Sequence, residues 1–368
     1  MNLFRIKQYG SIPPPYGGVS VFVKRLFLAL NKNGWKSGAF HSGYVEGCPK
    51  ELLKYLDRFP YHTRSLFVLP ELVKLLRIFQ NYDLIHSHLS LSSCFSTWLI
   101  HKILRIPVVY TIHNQMIDVE LKNMNFIDWY CLKSLASDSN VQFVSVNANI
   151  EKALSLRGIT FHKPIMVLPA YIPPVETGNI SDYLPASLED YITIDTPFIL
   201  FYAESLSRYN DEEIYGLNTA VKSFAILKEQ FPNLRIVICV TNVNNPEDIS
   251  TYKKELEIFS ESVYWQIGPL PEMWPLMKFA TLLLRPTCTD GDSIMIREAL
   301  SYGLPVVTSD VVCRPEGTIL YKYGDIRDLI DKTTKVLSNP QRKVYAQADN
   351  TDVMLQIYRD LLLPNNKY

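Results

Sequence analysis

Asp290 and Glu298 stand with seven residues between them in the segment Arg285 to Asp310, RPTCTDGDSIMIREALSYGLPVVTSD. Carboxylates accept hydrogen bonds from hydroxyls. Here they flank Gly291-Asp292-Ser293, a short polar loop whose backbone N–H groups open a helix. The apolar run Thr281 to Leu284 ends in Arg285-Pro286. A helical pattern then runs from Ile294 to about Tyr302 and stops at Gly303, and a second apolar run covers Leu304 to Val307. The order is strand, glycine loop, helix, strand. Seven intervening residues put Glu298 in the first or second turn, facing back toward the loop. Such a site suits a ligand with both hydroxyls and phosphates, and a nucleotide sugar is one. A capped helix in any doubly wound domain has the same outline, so the loop alone leaves the two readings level.

Residues of similar use recur at other strand ends. Pro13-Pro14-Pro15-Tyr16-Gly17-Gly18 precedes the first helix pattern. Gly17 and Gly18 permit close backbone approach to a ligand, and the helix N-terminus beyond favours phosphate, although turns use such pairs constantly. His113 ends the run Pro107 to Ile112, before Asn114 and Gln115, and so faces the ligand side of a sheet rather than its core. His86 and His88 also end a strand, and their alternate spacing turns them to one side. Two imidazoles suggest a metal, but no third ligand is evident, and a structural or acceptor-side role fits better. Arg208 follows Phe198 to Ser205, where a forked guanidinium matches a diphosphate and a solvated loop charge is the plain alternative. Gly268 and Pro269 form a turn after Val263 to Ile267.

Strands and helices alternate along the chain, which predicts parallel sheets with crossover helices. In the first half, Val19, Phe22, Val23, Leu26 and Leu30 share a helical face closed by Asn33-Gly34. Asp83 to Ile85, Pro107 to Ile112, Val141 to Val146 and Ile165 to Leu168 read as strands, and Ala148 to Arg157 as a helix. Pro169 to Pro197 reads as an inter-domain linker. The pattern then restarts with Phe198 to Tyr202, helix Leu217 to Glu229, Arg235 to Val240, Val263 to Ile267 and Pro305 to Val307. The tail from Asn339 to Leu363 reads as helical.

These residues together resemble the retaining glycosyltransferases of family 4, group 1, over nearly the whole chain. That family carries an acidic pair seven residues apart before a G-x-P-V-V strand, a P-x-x-G-G loop, a T-x-H strand end and an F-x-G turn. The resemblance implies the GT-B fold: two Rossmann-like domains facing a cleft, with a C-terminal helix crossing back. The domains are then residues 1–172, joined by a tail at 345–368, and residues 173–344. It implies that Glu298 holds the ribose, Asp290 a donor-sugar hydroxyl, and Gly291, Asp292 and Ser293 the sugar and phosphate. Gly17, Gly18 and Arg208 would meet the diphosphate, His113 the sugar, and Gly268-Pro269 the nucleobase. Asp290 stands where the family has Glu. The Lys expected before Gly216 is replaced by Tyr215, which leaves Arg285, Arg297, Arg314 or Lys222 as substitute cations.

At 368 residues, 47% apolar and 20% charged, the chain suits two ordinary globular domains. Lys plus Arg and Asp plus Glu balance at 37 each, so no basic field recruits nucleic acid. Six scattered cysteines without a CxxC pair speak against zinc clusters and disulfide frameworks and for a reducing compartment. No apolar run approaches the roughly 20 residues of a membrane span. The expectation is a cytoplasmic, metal-independent enzyme without cofactor that moves a sugar from a UDP- or GDP-sugar to a glycan or lipid-linked acceptor in polysaccharide synthesis. Mixed basic and apolar residues from Leu52 to Gln80 suggest a membrane-side contact, with a plain surface helix as the simpler reading. A non-catalytic GT-B protein and a sugar-nucleotide epimerase are the alternatives.

Overall fold

The structure, a computed structural model, describes residues 4–14, 16–43, 45, 48–58, 69–113, 117–176, 178–243, 245 and 247–363. The chain divides into two compact units, Met1–Ile172 with Asp349–Tyr368, and Pro173–Ala348. In the first, strands β1 (Arg5–Ser11), β2 (Lys36–His41), β3 (Leu56–Arg58), β4 (Leu84–Ser87), β5 (Val108–Ile112), β6 (Val141–Ser145) and β7 (Met166–Val167) form one parallel sheet. Its order is β3-β2-β1-β4-β5-β6-β7. Its helices are α1 (Gly18–Lys32), α2 (Leu69–Phe79), α3 (Cys94–Leu104), α4 (Ile117–Asn123), α5 (Phe126–Ala136) and α6 (Ala148–Leu156).

The second unit holds α7 (Ala186–Thr193), β8 (Phe198–Ser205), the short strands β9 (Arg208–Tyr209) and β10 (Glu212–Glu213), α8 (Leu217–Gln230) and β11 (Arg235–Asn242). After these come α9 (Glu247–Glu255), β12 (Val263–Ile267), α10 (Trp274–Phe279), β13 (Leu282–Arg285), α11 (Ile294–Ser301), β14 (Val306–Ser309), β15 (Thr318–Tyr321) and α12 (Ile326–Ser338). The main sheet, again parallel, runs β12-β11-β8-β13-β14-β15. Each sheet is an α/β core with buried apolar strands, as parallel pairing demands. Strand order reverses between β1 and β4 in one unit and between β8 and β13 in the other, and ligands of such sheets bind beyond the strand ends at that reversal.

Two expectations fail. Residues 169–197 are not a linker: the first unit ends at Ile172, and Leu184, Leu188 and Ile192 of α7 and its approach are buried against Phe198, Leu200 and Val237. Its Pro and acidic residues disguised a helix that uses one narrow apolar face. Nor is the tail one helix from Asn339. Residues 342–347 lie in extended contact with the second unit, with Arg342 donating to the carbonyls of Met277, Ala280 and Tyr302, and Tyr345 N bonded to Leu300 O. The chain rejoins the first unit at Asp349, later than residue 345, and α13 (Thr351–Leu362) buries Met354, Leu355, Ile357, Tyr358 and Leu361 there. Helices α3 and α5 escaped the sequence reading because polar residues share their buried faces, Ser96, Thr97 and His101 in α3 and Asp128 in α5, while α5 exposes Phe126 and Tyr130.

The basic stretch from Leu52 to Gln80 is only partly described, with Arg64 and Phe67 outside the described residues. Its helix α2 buries Leu75 and Phe79 and exposes Lys74 and Arg77, so that apolar stripe faces inward. Among the described residues, no helix is long and apolar enough to cross a membrane.

Candidate functional site

At the reversal in the first unit, Gln8 of β1 pairs in register with His86 of β4. His88 follows β4 and His113 follows β5. The sheet thus delivers an amide and three imidazoles to one place. His86 Nδ1 lies 2.6 Å from the Tyr358 hydroxyl and its Nε2 lies 2.7 Å from Thr111 Oγ1. His88 Nε2 lies 2.7 Å from Gln8 Oε1, and its Nδ1 lies 3.1 Å from His113 Nε2. Burial holds His86 and His88 well below the usual imidazole range and pushes His113 down to about 4. All three rings are therefore neutral at pH 7. Among the described residues no group of three or more His, Cys, Asp or Glu side chains is placed to hold a metal ion, and each nitrogen of His86 and His88 already has a partner.

Phe22 of α1 packs edge-on against both His88 and His113, with ring centroids 5.7 and 5.3 Å away. Gly17 is the N-cap of α1 in extended backbone, and its N–H donates to Ser20 Oγ at 3.0 Å. Gly17 and Gly18 thus stand at a helix start, as the sequence suggested, and neither adopts a positive φ. Pro15, Asn114 and Gln115 lie outside the described residues. Sequence reasoning missed Gly10, where a Cβ would sit 3.1 Å from His88 Cβ. A lone Gly within a strand was the available signal.

At the reversal in the second unit the side chains are ionic. Asp290, buried in the loop after β13, has Oδ2 at 2.7 Å from Arg314 Nη1 and 3.4 Å from Arg285 Nε, while Gly291 N donates to Oδ1 at 3.1 Å. Burial alone would raise its pKa, but Arg285 and Arg314 outweigh that and hold it below the usual carboxylate range. Arg285 also lies over the Tyr215 ring at 4.9 Å, so the residue that replaces the expected Lys stacks on a cation. Asp292 is held by Arg297 Nε at 2.7 and 2.9 Å. Ser293 caps α11, its Oγ accepting from Ile296 N at 3.4 Å, and Glu298 sits in that helix with 2% of its surface exposed. Of the substitute cations, Arg285, Arg297 and Arg314 bond to acids of this loop, from the end of β13, from α11 and from beyond β14, whereas Lys222 is an exposed residue of α8.

Arg208 stands elsewhere in this unit. It begins a hairpin whose central residues, Asn210 and Asp211, both have positive φ, the two-residue turn that suits twisted strands. Its side chain is exposed and donates to the Asp211 carbonyl. The hairpin ends in Glu213, whose Oε2 accepts from Asn218 N at 2.8 Å. The N-terminus of α8, where the family pattern expects a phosphate, is therefore capped by a carboxylate of the chain itself. A cavity of about 690 Å³ beside it is lined by Arg208 and by Asp211, Glu212, Glu213, Glu247 and Asp248. Its charged lining is six acids against one arginine, which repels a diphosphate. Gly216 opens α8 with φ +70, and a Cβ there would lie 2.2 Å from the Pro286 carbonyl. Gly268, after β12, has φ +98 and donates its N–H to Val240 O at 2.9 Å, with Pro269 next.

The site residues thus fall into separate groups: His113 with Gly17 and Gly18 in the first unit, Asp290 to Glu298 in the second, and Arg208 apart on its hairpin. Residues 16–172 match Glycosyltransferase Family 4, and residues 199–339 match Glycosyl transferases group 1. The chain belongs to this glycosyltransferase family. Within the family, a lipopolysaccharide 1,6-galactosyltransferase of Salmonella typhimurium is 28% identical over 129 residues, 33% of this chain and 35% of that protein. The match spans about a third of that relative's length. The GT-B fold is shared with sucrose-phosphate synthase from Thermosynechococcus elongatus, with TM-score 0.68, 17% identity, 98% of this chain and 100% of that one. It is shared too with Anabaena HepE in complex with UDP-glucose, with TM-score 0.67, 14% identity, 100% of this chain and 98% of that one.

Proposed function

We propose that this family member transfers a sugar from a nucleotide sugar to an acceptor hydroxyl, and that the loop from Arg285 to Glu298 holds the donor. One observation carries the reading: buried Arg285 and Arg314, Asp290 and the Ser293-capped start of α11 converge where the strand order reverses. Buried Glu298 accepts the ribose hydroxyls, and a carboxylate can take both. Asp290 Oδ1 accepts a donor-sugar hydroxyl while Oδ2 keeps the guanidinium groups in place. Gly291, Asp292 and Ser293 line the sugar and phosphate, and Gly268-Pro269 the base. In the first unit, Gly17 and Gly18 offer a backbone approach and His113 a sugar contact.

The reaction we propose is retaining, with the acceptor attacking on the face the diphosphate leaves. The protein then works by positioning and by meeting charge that develops on the leaving group. Arg285 and Arg314 supply cations already oriented by Asp290. Arg208 joins them only by turning from the Asp211 carbonyl. No cofactor is required in this reading, and metal independence is supported by the pairing of Asp290 and Asp292, the one Asp-x-Asp of the loop, with arginines, which makes them poor ligands for Mg²⁺. The acceptor is proposed to be a glycan or lipid-linked sugar of polysaccharide synthesis, reached at the cytoplasmic face of a membrane. Exposed Phe126, Ile127 and Tyr130 beside Lys122 and Lys133 support that contact, since aromatic rings and lysines favour a bilayer interface.

Thermal melts with UDP, GDP and their sugars test the donor. A bound nucleotide at 100 times its dissociation constant should stabilise by about 2.7 kcal/mol. No stabilisation by any of them would sink the reading. Donor hydrolysis that persists in EDTA is expected, and its loss with rescue by Mg²⁺ would make Asp290 and Asp292 metal ligands instead.

A further inference from the structure

We propose that Gln8, acting through His88, fixes which ring nitrogen of His113 carries the proton, so that His113 presents a bare Nδ1 as a hydrogen-bond acceptor. The chain of contacts has one consistent direction. Gln8 Oε1 lies 2.7 Å from His88 Nε2. An amide oxygen only accepts, so His88 Nε2 carries the hydrogen. His88 is neutral by burial, with the His86 ring centroid 4.0 Å from its own and disfavouring a second charge. Its Nδ1 is then a lone pair. His113 Nε2, 3.1 Å away, must donate to it. A neutral imidazole has a single N–H, so the Nδ1 of His113 is left to accept, and among the described residues nothing is bonded to it.

Gln8 sets the direction of every bond in this row. Were its amide reversed, each hydrogen would point the other way and His113 would offer an Nδ1–H donor. The amide nitrogen is buried without a hydrogen-bond partner, so the bond from His88 to Oε1 alone orients the amide, while the Tyr358 hydroxyl of α13 meets His86 Nδ1 at 2.6 Å. Packing fixes the rings as well: Gly10 leaves no Cβ against His88, and Phe22 sits edge-on to both imidazoles. Gln8 and His88 are positioning residues, buried and set behind His113. An acceptor Nδ1 recognises a ligand hydroxyl that donates, and discriminates against a fluorine or a carbonyl at the same place. That consequence rests on the proposed role of His113 at the sugar, whereas the tautomer itself does not.

Long-range proton–nitrogen NMR of the full chain labelled at histidine nitrogen, without donor, reads the tautomers directly. His113 and His88 are expected to be protonated at Nε2 alone. Gln8→Met removes the acceptor at similar size and should give His113 a mixture of tautomers. His101 is the control for folding, because its Nδ1 must carry a hydrogen for the Ile106 carbonyl 2.7 Å away. Should Gln8→Met lose the His101 signal, His88→Phe, which removes the acceptor next to His113, takes its place with the same expected mixture. A His113 protonated at Nδ1 in the wild type, or one unchanged tautomer in the variant with His101 intact, overturns the proposal. In turnover, the variant should lose up to about tenfold in kcat/KM at unchanged UDP affinity, the size of one neutral hydrogen bond. A mixed tautomer with unaltered kcat/KM would overturn its bearing on the sugar. Failure of the protein to use any donor would leave the NMR result standing, so the two failures are distinguishable.

Discussion

Where strand order reverses in the first unit, the side chains are imidazoles and an amide; where it reverses in the second, they are guanidinium groups and carboxylates. Both sets are buried at the ends of parallel strands, yet burial acts on them in opposite ways. Desolvation strips His86, His88 and His113 of charge because each has only neutral neighbours. In the second unit, Asp290 keeps its charge because Arg285 and Arg314 supply more than burial removes. In the function we propose, the first region exchanges hydrogen bonds with neutral hydroxyls, and the second meets developing negative charge without changing protonation.

Breaking the ionic set should have the largest effect. Arg314→Leu leaves Asp290 buried with only the longer contact to Arg285, and losing one partner of a buried pair costs about 3–5 kcal/mol. Denaturant unfolding of the second unit should show that loss, and a change below 1 kcal/mol would mean that Asp290 is not held as described. Arg208→Ala sharpens the contrast within the same unit. Its stability should stay within about 0.5 kcal/mol, because the side chain is exposed. If Arg208 turns to the leaving diphosphate, turnover should fall about 10²–10³-fold. Unchanged turnover would assign that task to Arg285 and Arg314 alone.

Glu298→Gln keeps the shape and removes the charge. Nucleotide binding should weaken by about 1.5–3 kcal/mol with the melting temperature nearly retained, and calorimetry with UDP and GDP decides it. Full affinity in the variant would move the ribose away from Glu298. The smallest effect separates the units by pH. The histidines have folded pKa values depressed below their unfolded 6.5, so the unfolded chain binds more protons between about 6.5 and 4. Their stabilising contribution is full above pH 6.5 and is lost as pH falls toward 4. Asp290 is depressed too, and its contribution starts to fade only below the ordinary carboxylate value of about 3.9. Hydrogen exchange at pH 5 should therefore show loosening around β4 and β5 before any around β13. Equal loosening of both, or none in the first unit, would contradict the assignment of charge states.

Family membership, the alternation of strands and helices, and the loop from Arg285 to Glu298 were legible in the chain because local patterns encode them. Apolar runs end in turn residues, Gly303 stops a helix, and two acids keep their spacing whatever surrounds them. Helices that bury polar residues, as α3 and α5 do, or that also expose aromatic ones, as α5 does, were not legible, because periodicity assumes that the apolar face is the inner one. The partners of each charge were beyond reach for a related reason. Asp290 and Arg314 lie 24 residues apart and Gln8 and His88 lie 80 apart, and only strand order brings them within a hydrogen bond. Sequence alone supplied the inventory of chemistry: two acids, their arginines, three histidines and a glycine pair. The tertiary structure decided which arginines keep Asp290 charged, that Glu213 caps the helix expected to hold phosphate, and that the histidines are neutral. Protonation state and hydrogen-bond direction depend on the dielectric and the neighbours of a group, and parallel sheets assemble both from distant parts of the chain.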